Sequence, residues 1–364
     1  MLSLSRSRAG GQRGFSLVEL LVGMLIALLS TLIIMQVYET FEGQKRTTTG
    51  GADAQTNGSI ALYNIQRDVA MAGYGLPVLS TLNPALLCDP LPKVDHDNNP
   101  ATPDAGMYPI MLTDGGNAAG ASDGITVRYG STATGGVPIA ATIAANNLVV
   151  ANNLACQAND IALLVNGSAC EMWRVSALIG DTNITLESIP PGNATTMTSG
   201  MIACMGRWNE VSYDIANNMM TRNGGASVAG IVNIQAQYGI SAAPNSNSIV
   251  RWVDPSGADW GMTADGAGVL LTPNRANRNL IKAVRVAVVA RSGQWEKELV
   301  STACSSTTTP NPTGVCAWAG TATSPAPTID LSNDADWQHY RYRVFDVIIP
   351  LRNVVWSLNT LPSS

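Results

Sequence analysis

An α+β fold is predicted, with one long N-terminal helix able to span a membrane followed by a globular head of mainly antiparallel strands. Three observations predict it. From Phe15 to Val37 nearly every side chain is apolar. At a rise of ~1.5 Å per residue this run gives roughly 35 Å of helix, enough for a bilayer core of ~30 Å. Beyond it, Leu62, Ile65, Val69 and Ala72 fall on one helical face. From Ile110 onward the pattern changes to short β-branched and aromatic runs bounded by Gly, Asn, Asp and Pro, the signature of strands and turns.

The flanks of the apolar run fix its character. Arg6, Arg8 and Arg13 precede it and no acidic residue does, so the positive-inside bias predicts a cytoplasmic N-terminus and an exported remainder. A secretory signal would have a core of about 7–15 residues followed by small residues at a cleavage site. Here the core is longer and ends in Val37-Tyr38-Glu39-Thr40-Phe41. Glu19 is the anomaly. A carboxylate inside a membrane span costs about 2.5–3.5 kcal/mol, so a cationic partner is expected, and an amine on a neighbouring helix of the same kind is the natural candidate.

Past Val37 the helix is expected to run through Tyr38, Phe41 and Lys45 and to weaken at Thr47-Thr48-Thr49-Gly50-Gly51, because β-branched residues and paired glycines are poor helix formers. The helical pattern resumes over 59–72 and stops at Gly73, Gly75 and Pro77. Asn64, Gln66 and Arg67 belong at its edges. Arg67 and Asp68 are adjacent and do not face each other on a helix, so each is expected to find its own partner. The expected organisation is a basic cytoplasmic segment at 1–14, a transmembrane helix at 15–37, exported helix segments at 38–75 and a β-rich head at 76–364; the resemblance described below implies that 1–14 is a cleaved leader and that the exported side is the periplasm.

In the head, 125–129, 161–165, 171–175 and 231–238 read as strands, and 211–215 with 219–222 reads as a hairpin about Ala216-Asn217-Asn218. Polar inserts at roughly 89–123, 240–279 and 301–336 are longer than ordinary connections and are the expected partner-binding surfaces. All six cysteines, Cys88, Cys156, Cys170, Cys204, Cys304 and Cys316, fall on the exported side, where disulfides form. Loop length favours Cys304–Cys316, then Cys156–Cys170, leaving Cys88 and Cys204.

Composition narrows the function. Three of the 21 basic residues precede Gly14 and all 26 acidic ones follow it, leaving the side chains beyond Gly14 at −8. A broad basic surface for nucleic acid is therefore not expected. Only His96 and His339 are available for histidine chemistry, and neither sits in a pattern of nucleophile, base and acid. Asp95-His96-Asp97-Asn98-Asn99-Pro100 begins like a calcium loop, but Pro100 stands where such a loop needs glycine and Gly106 where it needs its bidentate glutamate. A solvated turn is the expectation, with no metal, no cofactor and no catalytic residue. A membrane-tethered periplasmic enzyme or binding module is the rival from another class, and it would require clustered acid, base or metal-binding groups.

Arg13-Gly14-Phe15-Ser16-Leu17-Val18-Glu19-Leu20-Leu21 resembles the class III signal of type IV pilins and type II secretion pseudopilins. The resemblance implies that a prepilin peptidase cuts between Gly14 and Phe15 and that Phe15 becomes the N-methylated first residue. It also implies that Glu19 sets the register of assembly by pairing with the new amine of a neighbour. Glycine before the cut suits this, since it lets a protease approach the backbone closely.

A second resemblance is narrower. The stretch from Tyr63 through Arg67-Asp68 to Met71-Ala72-Gly73-Tyr74-Gly75, the run 281–291, and the closing segment from Tyr340 to Pro350-Leu351-Arg352-Asn353 are similar to PilW-type minor pilins. That family implies a pilin-like fold and a place in an inner-membrane complex that primes type IV pilus assembly and sits at the fibre tip. The implied partners are other minor pilins, the major pilin and a large tip adhesin, with roles in twitching motility and adhesion. A type II secretion minor pseudopilin is the rival within the same superfamily, and a sugar- or surface-binding head is compatible with either.

Overall fold

The computed structural model describes residues 14, 16–77, 88, 91–99, 101, 104–144, 146–187, 199–264, 271–273 and 275–354. Leader residues 1–13 and Phe15 lie outside the described residues. The chain forms two compact units, Met1–Ala52 and Asp53–Ser364. The helix is a single assigned element, Leu17–Ala70, so the expected weakening at Thr47–Gly51 does not interrupt it. Thr47 and Thr48 donate to the carbonyls of Gly43 and Gln44 at 3.0 and 2.9 Å, so their hydroxyls are satisfied within the helix. The boundary between the two units nevertheless falls between Ala52 and Asp53, just past Gly50-Gly51.

Residues 53–70 of the helix are built into the second unit. Ala54, Ala61, Ile65 and Val69 are buried there in one apolar cluster with strands of two sheets. Leu62, expected on the buried face, is only half-buried beside it. The contact stripe is instead lined by small residues, and at Gly58 an added Cβ would overlap the ring of Phe345. Glycine costs helix propensity at that position; what it provides is close approach of helix to sheet.

One sheet has the strand order Ile249–Val253, Ile231–Ser241, Ile281–Arg291, Tyr342–Pro350, all antiparallel. The central strands are buried along almost their whole length because both faces are covered, and Asn233, Gln235, Gln237 and Lys282 are buried with their apolar residues. One face joins the cluster under the helix. The other packs Ala287 and Val289 against Val315, Ala317, Trp318, Ala326, Ile329 and Leu331. The few apolar residues of the insert at 301–336 form a lid on the sheet, tied by Cys304–Cys316.

A second sheet has the order Gly225–Ala229, Met219–Arg222, Trp208–Ala216, Gly124–Gly130, Ile110–Thr113. The hairpin about Asn217-Asn218 forms as expected, with both residues at positive φ (52° and 58°), the conformation of a two-residue type I′ turn. Strands Gly124–Gly130 and Trp208–Ala216 pair directly, from Ile125 with Tyr213 to Gly130 with Trp208. Residues 131–207 are thus an excursion from the end of a hairpin.

That excursion is a closed six-stranded barrel, which the sequence reading did not foresee. Its strands run in the order Met201–Cys204, Val137–Ala144, Asn147–Val150, Asn183–Leu186, Ala169–Ile179, Ile161–Asn166. Strand Ile161–Asn166 reads as a continuous apolar run because Ala162 and Leu164 point into the barrel while Ile161, Leu163 and Val165 join the main core. The barrel also corrects the disulfides. Cys88 is bonded to Cys170 and Cys156 to Cys204, replacing the expected Cys156–Cys170 and Cys88–Cys204. Loop length distinguishes such pairings by less than ~1 kcal/mol, whereas the barrel carries Cys204 alongside Ala162, a few residues from Cys156.

A polar seam joins the two sheets. Asn233 Nδ2 donates to the Ala121 carbonyl at 2.6 Å, and the Asp123 carboxylate accepts the amides of Gly115 and Ala236 at 3.0 and 2.8 Å. Burial outweighs those two donors and raises the Asp123 carboxyl to about 7, with Asp114 and Asp254 adding repulsion. The folded state therefore keeps this proton while the unfolded chain, with an ordinary carboxylate, loses it near pH 4. Stability from this group is full at low pH and is lost as pH rises from about 4 to 7, by up to ~4 kcal/mol for ~3 units. In Asp123→Asn that loss is absent. Urea titrations from pH 4 to 8 should find the variant weaker than wild type at pH 4, with the gap narrowing toward pH 7; a constant gap contradicts the assignment.

Candidate assembly site and helix latch

Ser16 precedes the helix, and its carbonyl accepts the Leu20 amide at 3.1 Å. Glu19 lies in the first turn, where a negative charge is favoured by the free backbone N–H groups. Both Glu19 and Gly14 are exposed, and an added Cβ on Gly14 would meet nothing within 4 Å. Every large apolar side chain from Leu17 to Phe41 is at least 48% exposed. The polar residues within the run satisfy themselves, as Ser30 and Thr31 donate to the carbonyls of Ile26 and Leu28 at 2.8 Å. What remains outward is a continuous apolar surface with one carboxylate near its start, a surface made for lipid and for other helices. The expected Gly14/Phe15 cut and Phe15 methylation concern a residue outside the described set.

A second constellation lies in the head unit, where the helix ends. Asp68 stands on the buried face, and its side chain is only 5% exposed. Its Oδ2 accepts from the Tyr213 hydroxyl at 2.6 Å and from Arg222, whose Nε and terminal nitrogen lie at 3.0 and 2.8 Å. The same hydroxyl lies 3.2 Å from the Asn64 carbonyl. Asp68 thus has partners of its own on the sheet, but Arg67 also reaches its Oδ1 at 3.1 Å, so the adjacent pair does meet. Burial, then the hydrogen bond to Asp68, drive the Tyr213 hydroxyl well above the ordinary phenol range, and both partners hold Arg222 in its charged form.

The glycines that follow have the geometry the chain turn demands. Gly73 and Gly75 stand at φ 73° and 84°, a region open to glycine. The Gly73 amide donates to the Arg128 carbonyl at 2.9 Å and the Gly130 amide to the Tyr74 carbonyl at 2.6 Å, so the helix end is stitched onto strand Gly124–Gly130. From the far end of the chain, Asn353 Nδ2 donates to the carbonyls of Ala70 and Ala72 at 3.4 and 3.2 Å, capping groups that the helix leaves unpaired. The Leu351 amide bonds the Lys282 carbonyl at 2.9 Å. The three separated stretches that carried the narrower resemblance therefore meet around one helix terminus. Tyr213 and Arg222 escaped the sequence reading. Their signal was the position of Asp68, an acid three residues from Ile65 on an otherwise apolar face.

The histidines and the acidic loop show no comparable assembly. His339 stacks on Trp295 with ring centroids 4.8 Å apart and donates from Nδ1 to the Glu296 carbonyl at 2.7 Å. Asp95 and Asp97 both accept the Asn99 amide, at 3.2 and 3.1 Å. Among the described residues no group of three His, Cys, Asp or Glu side chains is placed to hold a metal ion.

Comparison with known proteins agrees with this division into an anchor and a head. Residues 10–35 match the prokaryotic N-terminal methylation motif, and residues 206–353 match the family described as type IV pilus-assembly protein W, PilW. No curated protein matches the chain. Among solved structures, a type IV-like pilin from Thermus thermophilus aligns over 82% of this chain and 97% of its own, at 9% identity and a TM-score of 0.30; the fold assignment rests on the helix and sheets themselves. The barrel at 137–204 precedes the stretch matched to PilW, which contains the helix-capping Asn353 and both sheet partners of Asp68. A methylation motif leading into an apolar helix and a PilW stretch closing the head together match a PilW-type prepilin and support a minor pilin of the type IV pilus.

Proposed function

We propose that this minor pilin is inserted with its N-terminus in the cytoplasm and its head in the periplasm, is cut between Gly14 and Phe15, and is methylated on Phe15. Its new amine then pairs with the acid of an adjacent subunit, and Glu19 receives the amine of another. The observation that carries this reading is the exposed apolar helix surface from Leu17 to Val37, in which Glu19, near its start, is the one charged residue. In a bundle of such helices both charges are buried, and each is tolerable only beside the other. The work is structural and not catalytic.

The place proposed is the priming complex of minor pilins and then the fibre tip, beside the major pilin and a large adhesin. Bulk supports this. The head adds a barrel of some 77 residues, 131–207, to its sheets, and a terminal position accommodates that volume more readily than the side of a thin fibre. Immunogold labelling of sheared pili is expected to decorate ends. Even labelling along shafts would refute the tip position.

A further inference from the structure

We propose that a cleft at the neck of the barrel binds a single sugar unit bearing a carboxylate. Ser131 and Thr132, where the chain leaves the paired strands, and Arg207, where it returns, line the cleft together with the loop 155–160; its volume is about 290 Å³. This is near the lower end of the ~300–1,000 Å³ of small-molecule sites, the scale of one pyranose ring.

The wall is fixed before any ligand arrives. Cys156, within the loop, is bonded to Cys204. The Gln157 amide donates to Asp160 Oδ2 at 2.8 Å, and Asn159 stands at φ 72° with its amide on the Val175 carbonyl at 2.8 Å. The Arg207 amide is held by Ser131 Oγ at 2.9 Å. Against this rigid backbone, the side chains of Thr132, Gln157, Asn159 and Arg207 make no hydrogen bond or ion pair among the described residues. Arg207 shares this with Arg251, Arg343 and Arg352 among the described residues, whereas Arg128, Arg174, Arg222, Arg285, Arg291 and Arg341 each have a carboxylate within 4.0 Å.

The groups present select the ligand. The apolar part of the wall is limited to the methyls of Ala155 and Ala158, so a lipid tail or an aromatic ring would gain little by entering. A guanidinium offers two parallel donors to a carboxylate. The free amides and hydroxyl pair with ring hydroxyls in either sense. Asp160, whose carboxyl is raised by burial, accepts hydrogen bonds from ring hydroxyls. A uronic-acid unit presents a carboxylate at one end and hydroxyls at the other, and an acidic polysaccharide of a surface or matrix would carry many.

Saturation-transfer NMR of the full-length processed protein in detergent micelles, with methyl glucuronide and methyl glucoside as probes, tests this. Saturable transfer to the glucuronide is expected, with binding at least about tenfold tighter than to the glucoside. Arg207→Gln should weaken the glucuronide about tenfold without lowering Tm, because Arg207 is exposed. Gln157→Ala should weaken both sugars. No saturable transfer to the glucuronide, equal binding of the two sugars, or undiminished binding by Arg207→Gln would overturn the assignment. Incorporation of Arg207→Gln into fibres is expected to be normal, which separates failure of this site from failure of the assembly reading.

Discussion

Glu19→Ala is expected to reach the membrane and be cut after Gly14 as efficiently as wild type, yet to be nearly absent from sheared fibres. Insertion depends on the apolar run, which the substitution makes more apolar, and the peptidase acts on the cytoplasmic side of Gly14/Phe15. Assembly is different. The neighbour's amine would enter an apolar helix bundle with no counter-charge, and breaking a buried pair by removing one partner costs roughly 3–5 kcal/mol. Each ~1.4 kcal/mol is tenfold in an equilibrium, so incorporation should fall by two orders of magnitude or more. Glu19→Asp keeps the charge on a shorter arm and should fall between the two. Immunoblots of membrane and sheared fractions read all three, and wild-type incorporation of Glu19→Ala would defeat the pairing.

The second large effect belongs to Asp68. Asp68→Ala removes the acceptor shared by Tyr213 and Arg222 and leaves a buried hydroxyl and a guanidinium, one-third exposed, without their common partner. The cost is expected to be about 3 kcal/mol, at the lower end for a buried pair because Arg222 retains some solvent. Tyr213→Phe should cost about 1.5–3 kcal/mol, the worth of one hydrogen bond to a charged group. If the three groups act as a unit, Asp68→Ala and Tyr213→Phe will be less than additive. Urea unfolding of the detergent-solubilised protein gives these differences. An Asp68→Ala midpoint within error of wild type would mean that the helix is held to the sheet by apolar packing alone.

Much of this molecule could be read in its residues, and the reasons are local. The apolar run, its basic flank and the Glu19 offset depend on neighbours in sequence, as does the Asn217-Asn218 turn. The strand 281–291 was legible through its resemblance to PilW-type minor pilins, since Lys282 and Arg285 interrupt its apolar pattern. What escaped was decided by contacts between distant segments. The stripe of Ala54, Gly58 and Ala61 lacks the large side chains that mark a helix face, although it brings the helix closest to Phe345. The barrel was hidden because its strands are short, and four of them, 137–144, 147–150, 183–186 and 201–204, carry few large residues each. The disulfides followed the barrel, so pairing by loop length succeeded for Cys304 with Cys316 and failed for the other four. At the candidate site the acid at position 68 was visible in sequence; its partners at 213 and 222 became visible only with the sheet.

Mass spectrometry of the N-terminal peptide recovered from native fibres tests the central claim most directly. A pilin that joins the fibre through its freed amine must begin at Phe15 and carry one added methyl group there. Material that still begins at Met1, with no peptide starting at Phe15, would contradict it.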